Sequence, residues 1–189
     1  MKNFKSIALA LVVVLSTLSV TAQTKKVNTA ASTINWVGKK VTGAHEGTIN
    51  LKDGALVFKG KKLVGGTFVV DMTSMTVTDL KAGQGKEKLE GHLKADDFFG
   101  TDKFDTATLV FKKIVTKAKN LYTVTGDLTI KGITKPVTFD LATTANTANA
   151  KVVIDRTKYK IEYNSASIFS AIGDKAINDY FTLAVALKF

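Results

Sequence analysis

The chain has 189 residues, a formal net charge of +11 at pH 7, 45% hydrophobic residues and no cysteine. Without Cys there is no disulfide framework, no thiolate nucleophile and no Cys-based zinc site, so stability must come from packing. The basic balance raises the question of nucleic acid or anionic surfaces; but Arg156 is the only arginine and the lysines are scattered, so the planar fork that reads phosphate and guanine is nearly absent and no nucleic-acid partner is expected.

The first stretch, MKNFKSIALALVVVLSTLSVTAQ, carries Lys2 and Lys5, an apolar run from Ile7 to about Val20, and small residues with Val20 and Ala22 at the minus-three and minus-one positions. This pattern predicts a secretory signal peptide over residues 1–22. Ser16, Thr17 and Ser19 interrupt the run before the roughly 18–20 apolar residues a membrane-spanning helix needs. With no Cys at the cleavage point to take a lipid, the expected product is a protein released to the periplasm or beyond. Residues 23–189 are expected to form one domain.

Beyond Gln23 the period is two, not 3.6. Strands are predicted over 32–41, 46–51, 55–59 and 65–72, with turns at KDG (52–54) and GKK (60–62). In GKEKLEGHLKADDFF (85–99), Leu89 and Leu93 stand at helical spacing and predict a short helix. A strand over 106–115 precedes YTVTGDLTIKG (122–132), where Val124, Leu128 and Ile130 share one face with Gly126 while Thr123, Thr125, Asp127, Thr129 and Lys131 take the other. Val137, Phe139 and Leu141 repeat the alternation after GITKP, with Pro136 expected at the strand entry, so the two segments predict a hairpin. ATTANTANA (142–150) reads as a long loop, followed by strands over 150–155, 158–163 and 180–189. NSASIFSAIGDKAIND (164–179) groups Ile168, Ala171 and Ile172 on a helical turn ended by Gly173. The sum is an all-β fold: an antiparallel β-barrel of about eight strands with two short helices, closed because closure removes exposed edges. Such a barrel has room for packed side chains or for one small ligand.

Alternation alone does not say which face looks inward. Leu183, Val185, Leu187 and terminal Phe189 alternate in the style of an outer-membrane strand, yet one Trp and four Tyr are too few for two aromatic girdles. Turning the polar faces inward would also crowd lysines into a lumen an eight-stranded barrel leaves barely open. The apolar face is therefore expected inside.

The chemistry-bearing candidates are sparse. His92, Asp96 and Asp97 lie close in sequence, and His45 with Glu46 offers a second group, so a small metal- or His/Asp-dependent hydrolase is one reading. Two His and no His-Glu-x-x-His leave zinc short of ligands, and the plainer reading is that these groups satisfy backbone atoms where helix gives way to strand. Ser165, Ser167 and Ser170 lie in no Gly-x-Ser-x-Gly elbow, and Gly65-Gly66 opens a strand rather than a helix. No catalytic residue, metal or cofactor is expected. A filled barrel binding a protein partner through its lysines is a further alternative.

GHLKADDFFGTDKFDTATLVFK (91–112), GDLTIKGITKPVTFDL (126–141), GAHEGTI (43–49), GGTFVVDM (65–72) and DRTKYKIEYNS (155–165) resemble segments of the YceI-like family. The resemblance covers nearly all of the chain beyond residue 22. It implies an extended, lipocalin-like antiparallel barrel exported to the periplasm, often dimeric, holding a polyisoprenoid or similar long amphiphile in an apolar tunnel. His92, Leu93, Asp97, Phe98 and Phe99, and Gly126, Leu128, Thr129, Gly132, Thr134 and Lys135, match its motifs as fold markers. Gly100 and Asp105 depart from the family pattern, where Asp and Pro are common, so the turn between helix and strand is expected to differ in shape.

The expected function is that of an exported lipid-binding protein that sequesters or carries a polyisoprenoid or similar long-chain amphiphile, in transient contact with membranes and open to pairing as a homodimer. Its lining is expected from inward-facing apolar residues: Phe68, Val70, Phe98 and Phe99; Val124, Leu128, Ile130 and Phe139; and Ile154, Ile161 and Phe181.

Overall fold

The computed structural model describes residues 21–165, 167–168 and 173–189. Most of the expected signal segment lies outside them; Ala22, the residue before the expected cut, opens the first strand. Nine strands follow in chain order: β1 (Ala22–Lys26), β2 (Thr33–Lys40), β3 (Gly43–Lys59), β4 (Lys62–Val77), β5 (Thr106–Ala118), β6 (Leu121–Ile130), β7 (Ile133–Thr143), β8 (Thr147–Asp155) and β9 (Ile177–Lys188). One α-helix, α1 (Lys86–Lys94), lies between β4 and β5. The sheet runs β1-β3-β2-β9-β8-β7-β6-β5-β4, and β3 also pairs with β4. That pairing closes β2 to β9 into an eight-stranded antiparallel barrel, with β1 as an extra strand.

Alternation becomes an inside and an outside. On β6, Tyr122, Val124, Gly126, Leu128 and Ile130 are buried while the residues between them are not. Their partners Val137, Phe139 and Leu141 on β7 are buried too. Outward-facing threonines pair across the two strands, Thr125 with Thr138 at 3.0 Å and Thr129 with Thr134 at 2.8 Å. Lys131 and Gly132 both have positive φ, 51° and 72°, the backbone of a two-residue hairpin turn matched to strand twist. The apolar face thus looks into the barrel.

Several expectations are corrected. Residues 52–54 do not turn the chain: β3 runs through them, with a register shift between Leu51 and Asp53. Gly54 is needed there because a Cβ would stand 2.8 Å from the Phe68 ring. The long loop at 142–150 shrinks to residues 144–146 between β7 and β8, closed by the Thr144 and Thr147 hydroxyls at 2.8 Å. Pro136 lies inside β7 rather than at its entry, opposite Asp127, in a stretch that β8 does not reach, so its missing N–H breaks no ladder there. The strand expected over 158–163 is instead a 3-10 turn over Arg156–Tyr159, which Asp155 starts by accepting hydrogen bonds from the Thr157 N–H (3.1 Å) and hydroxyl (2.6 Å). Tyr159 and Ile161 are buried all the same, so their spacing of two mimics a strand. Of the second expected helix, residues 166 and 169–172 lie outside the described residues, and what is described of 164–179 includes a bridge from Ser165 to Ile177, a 3-10 turn at Gly173–Lys175 and the start of β9.

Candidate functional site in one half of the barrel

The barrel interior divides in two. In the half nearer the β3–β4 turn, side chains fill the centre: Leu56, Leu63 and Val124 are at most 1% exposed. Phe111 spans this region between Phe68 (5.4 Å) and Phe139 (6.0 Å). Phe68, Val124 and Phe139, expected to line a pocket, therefore belong to packed core. Ile161 is fully buried outside the cavity, next to the turn that follows β8.

The other half is hollow. A cavity of about 180 Å³ lies there, enclosed by Ile34 and Trp36 of β2, Ile49 of β3, and Val70, Met72 and Met75 of β4. Ala107 of β5, Leu128 and Ile130 of β6, Ile154 of β8, and Phe181 and Leu183 of β9 complete the strand walls. Leu89 and Leu93 of α1 and the following pair Phe98 and Phe99 add to the apolar wall, and Gly38, Lys39, Lys40, His45, His92, Arg156, Ile177 and Asn178 also border the space. Val70, Phe98, Phe99, Leu128, Ile130, Ile154 and Phe181, all expected in the lining, are thus brought together.

The sequence puts α1 there through Glu90, whose carboxylate accepts hydrogen bonds from the Thr76 hydroxyl (2.7 Å) and the Val77 N–H (2.8 Å). Those bonds, the Val77 N–H foremost, hold the Glu90 carboxyl below its usual pKa against the effect of burial. The turn after α1 closes on Gly100, whose φ of +58° an L side chain rarely adopts. That is the physical use of the residue that departs from the family pattern.

Polar groups enter the wall at few points. His45 Nδ1 lies 2.8 Å from Asp79 and His92 Nε2 lies 3.2 Å from Asp97, and both histidines touch the cavity. Burial raises the Asp79 pKa, but hydrogen bonds from His45 and the Glu46 N–H outweigh it and hold the carboxyl below its usual range. Asp96 is engaged by Lys103 instead of His92, so the two histidines form separate pairs. Among the described residues no cluster of three or more His, Cys, Asp or Glu could hold a metal ion.

Two polar residues were missed from sequence. Arg156, 2% exposed, donates to the carbonyls of Ile161 (2.8 Å), Ile177 (3.0 Å) and Asn178 (3.1 Å). It lies 3.7 Å from Asp179 and stacks over Phe98 at 5.8 Å. Burial lowers its pKa, with Asp179 and Asp155 opposing. Its being the sole arginine of a lysine-rich chain was the available signal, since guanidinium tolerates burial better than ammonium. Trp36, 8% exposed, carries an indole N–H with no partner. Gly47 lets the ring lie against β3: a Cβ there would stand 2.6 Å from Trp36 Cζ2.

A family model for the YceI-like domain matches residues 25–189. A UPF0312 protein of Staphylococcus aureus (strain USA300) is 43% identical over 91 residues, which cover 42% of this chain and 50% of that one. A UPF0312 protein of Shewanella denitrificans is 35% identical over 92 residues, covering 49% and 46%. The chain spans about half the length of the curated relatives it matches. Among solved structures, BcnA of Burkholderia cenocepacia superposes with a TM-score of 0.70 at 21% identity, covering 86% of this chain and 99% of that one. A polyisoprenoid binding domain from Saccharophagus degradans, implicated in plant cell wall breakdown, gives 0.57 at 15% identity, covering 86% and 95%.

Proposed function

The chain belongs to the YceI-like family, and from that footing we propose that it is an exported carrier or store of a long-chain isoprenoid or similar amphiphile, held in the hollow half of its barrel. The observation that carries this reading is the cavity itself: about 180 Å³ of unfilled space whose wall surface is overwhelmingly apolar, although lysine, histidine, arginine and asparagine side chains also border it. Apolar space of this kind holds hydrocarbon and not water. A relative of the same fold is named as a polyisoprenoid binding domain, which supports the ligand class.

Magnitude sets how the ligand is held. A cavity of about 150 Å³ takes one benzene ring, so this one takes roughly one or two five-carbon units. Each buried carbon contributes about 0.8 kcal/mol. Ten buried carbons would thus contribute roughly 8 kcal/mol before ordering costs, with little dependence on polar detail. A longer chain either trails from the mouth or widens the hollow. Export rests on the N-terminal segment, and the periplasm is the proposed location.

The test is mass spectrometry of organic extracts from gently purified protein, with N-terminal sequencing of the exported form. A co-purifying lipid, or stoichiometric uptake of added polyprenol, is expected. Repeated recovery without lipid, and no uptake, refutes the carrier reading.

A further inference from the structure

The cavity lining is graded along the barrel axis. On β2 it passes from Ile34 and Trp36 to Gly38, Lys39 and Lys40, and on the antiparallel neighbour β9 it passes from Leu183 and Phe181 back to Asn178 and Ile177. The two strands pair Trp36 with Leu183, Gly38 with Phe181 and Lys40 with Ile177. The apolar ends therefore lie together toward the packed half, where Phe189 meets Phe58, and the polar ends lie together at one rim. The other polar groups gather at the same rim. His45 stands opposite Gly38 in the β2–β3 ladder, Arg156 donates to the carbonyls of Ile177 and Asn178, and His92 lies against Phe98, over which Arg156 stacks.

That rim is basic. Lys39, Lys40, His45, His92 and Arg156 all border the cavity, and among the described residues no aspartate or glutamate does. Three of these cations face a carboxylate outside the lining: His45 faces Asp79, His92 faces Asp97 and Arg156 faces Asp179. No ion pair among the described residues engages Lys39 or Lys40. Both lysines are exposed, so each offers a hydrated ammonium with three donors and no acceptor, on a flexible stem that can follow a ligand's head.

We infer that the ligand is an anionic amphiphile: its hydrocarbon chain lies in the apolar depth, and its carboxylate or phosphate head sits at the rim against the Lys39 and Lys40 ammonium groups. This rests on the barrel interior being the lipid site. An anionic head gains charge-assisted hydrogen bonds from the two lysines that a neutral head does not. The gain is moderate, because exposed ion pairs are weakened by water and screened by salt.

Three probes of nearly equal chain length test it by titration calorimetry at neutral pH: tridecanoate, dodecyl phosphate and the uncharged 2-tridecanone. At about 20 mM salt at least one anion is expected to bind roughly three- to thirtyfold more tightly than the ketone, the range two exposed ion pairs supply, and to lose most of that advantage at about 500 mM. The tighter anion names the head. In Lys39→Gln/Lys40→Gln the ratio of anion to ketone affinity should fall towards one. Lys113→Gln/Lys119→Gln removes two exposed lysines of β5 and the turn after it, and should keep the ratio, which separates the rim from the overall positive charge. If the ketone binds as tightly as both anions, or if the preference survives loss of Lys39 and Lys40, the inference is overturned and the carrier reading stands. If no probe binds, the carrier reading falls and this one with it. Should Lys39→Gln/Lys40→Gln not fold, the wild-type salt dependence and the Lys113→Gln/Lys119→Gln ratio decide.

Discussion

Ala107→Leu tests whether the space is a void. Ala107 is 5% exposed, lies opposite Val70 in the β4–β5 ladder, and lines the cavity with it. Leucine adds three carbon groups. If the space is empty they bury without displacing anything, and the transfer term favours folding by up to about 2.4 kcal/mol. If the interior were already packed, the same atoms would force off-rotamer neighbours and cost about 1–3 kcal/mol. The sign of the change therefore separates the two cases. Ligand capacity should move the other way: losing room for three carbons removes about 2.4 kcal/mol of binding, roughly a 50-fold rise in Kd. Urea unfolding of the lipid-free protein gives the first quantity, and titration with 2-tridecanone the second. Stability unchanged or raised together with binding lost is the expected pair. A variant destabilised by more than about 1 kcal/mol that still binds would refute the description of this half as hollow.

Arg156→Met should destabilise the fold by about 3–5 kcal/mol in urea unfolding, because it leaves the buried Ile161 carbonyl, the part-buried carbonyls of Ile177 and Asn178, and Asp179 without the guanidinium; adding Asp179→Asn should recover part of the loss. The Glu90 carboxyl is held below its ordinary 4.5 in the folded state, so its contribution is complete above that value and is lost as pH falls through the lowered folded value. The drop in stability between pH 7 and pH 3 should accordingly be smaller in Glu90→Gln than in wild type, measured by urea midpoints. Gly47→Ala should cost at least the upper end of the roughly 1–3 kcal/mol of overpacking, since the new Cβ overlaps the Thr76 carbonyl oxygen and presses on the Trp36 ring. A lowered Tm and a changed emission maximum of the single tryptophan would register both effects.

The barrel was legible because its strands alternate so regularly. β6 and β7 could be read residue by residue from Tyr122 to Leu141, and α1 from Leu89 and Leu93. What escaped are places where a local hydrogen bond overrides the period. Asp71 accepts from the Thr73 N–H (3.0 Å) and hydroxyl (2.6 Å), and the ladder between β3 and β4 jumps from Asn50–Asp71 to Thr48–Thr76. That bulge buries Met72 and Met75 together, although a spacing of three in a regular strand would send one of them outward. The division of the interior was not legible either. Phe68 and Val70 sit on one strand two residues apart, yet one packs into the filled half and the other lines the hollow, and no periodicity distinguishes them.

That division explains how a hollow protein can be stable. Void space costs the dispersion contacts its walls would otherwise make, so the structure must recover them elsewhere. The filled half supplies this with interlocked rings and wholly buried aliphatics, while β1 and the long strands β3 and β4 add hydrogen-bonded ladder beyond what the barrel needs to close. The hollow half is built from more adaptable parts. Met72 and Met75 are unbranched and can change rotamer at small cost, and α1 begins at Gly85 without a side-chain cap. Its Glu90 reaches β4 through two hydrogen bonds. A ligand longer than the roughly two isoprene units the cavity now admits would gain space most cheaply by turning the methionines and displacing α1, leaving the packed half in place. Capacity then depends on how far one wall yields, and chain-length selectivity should be loose.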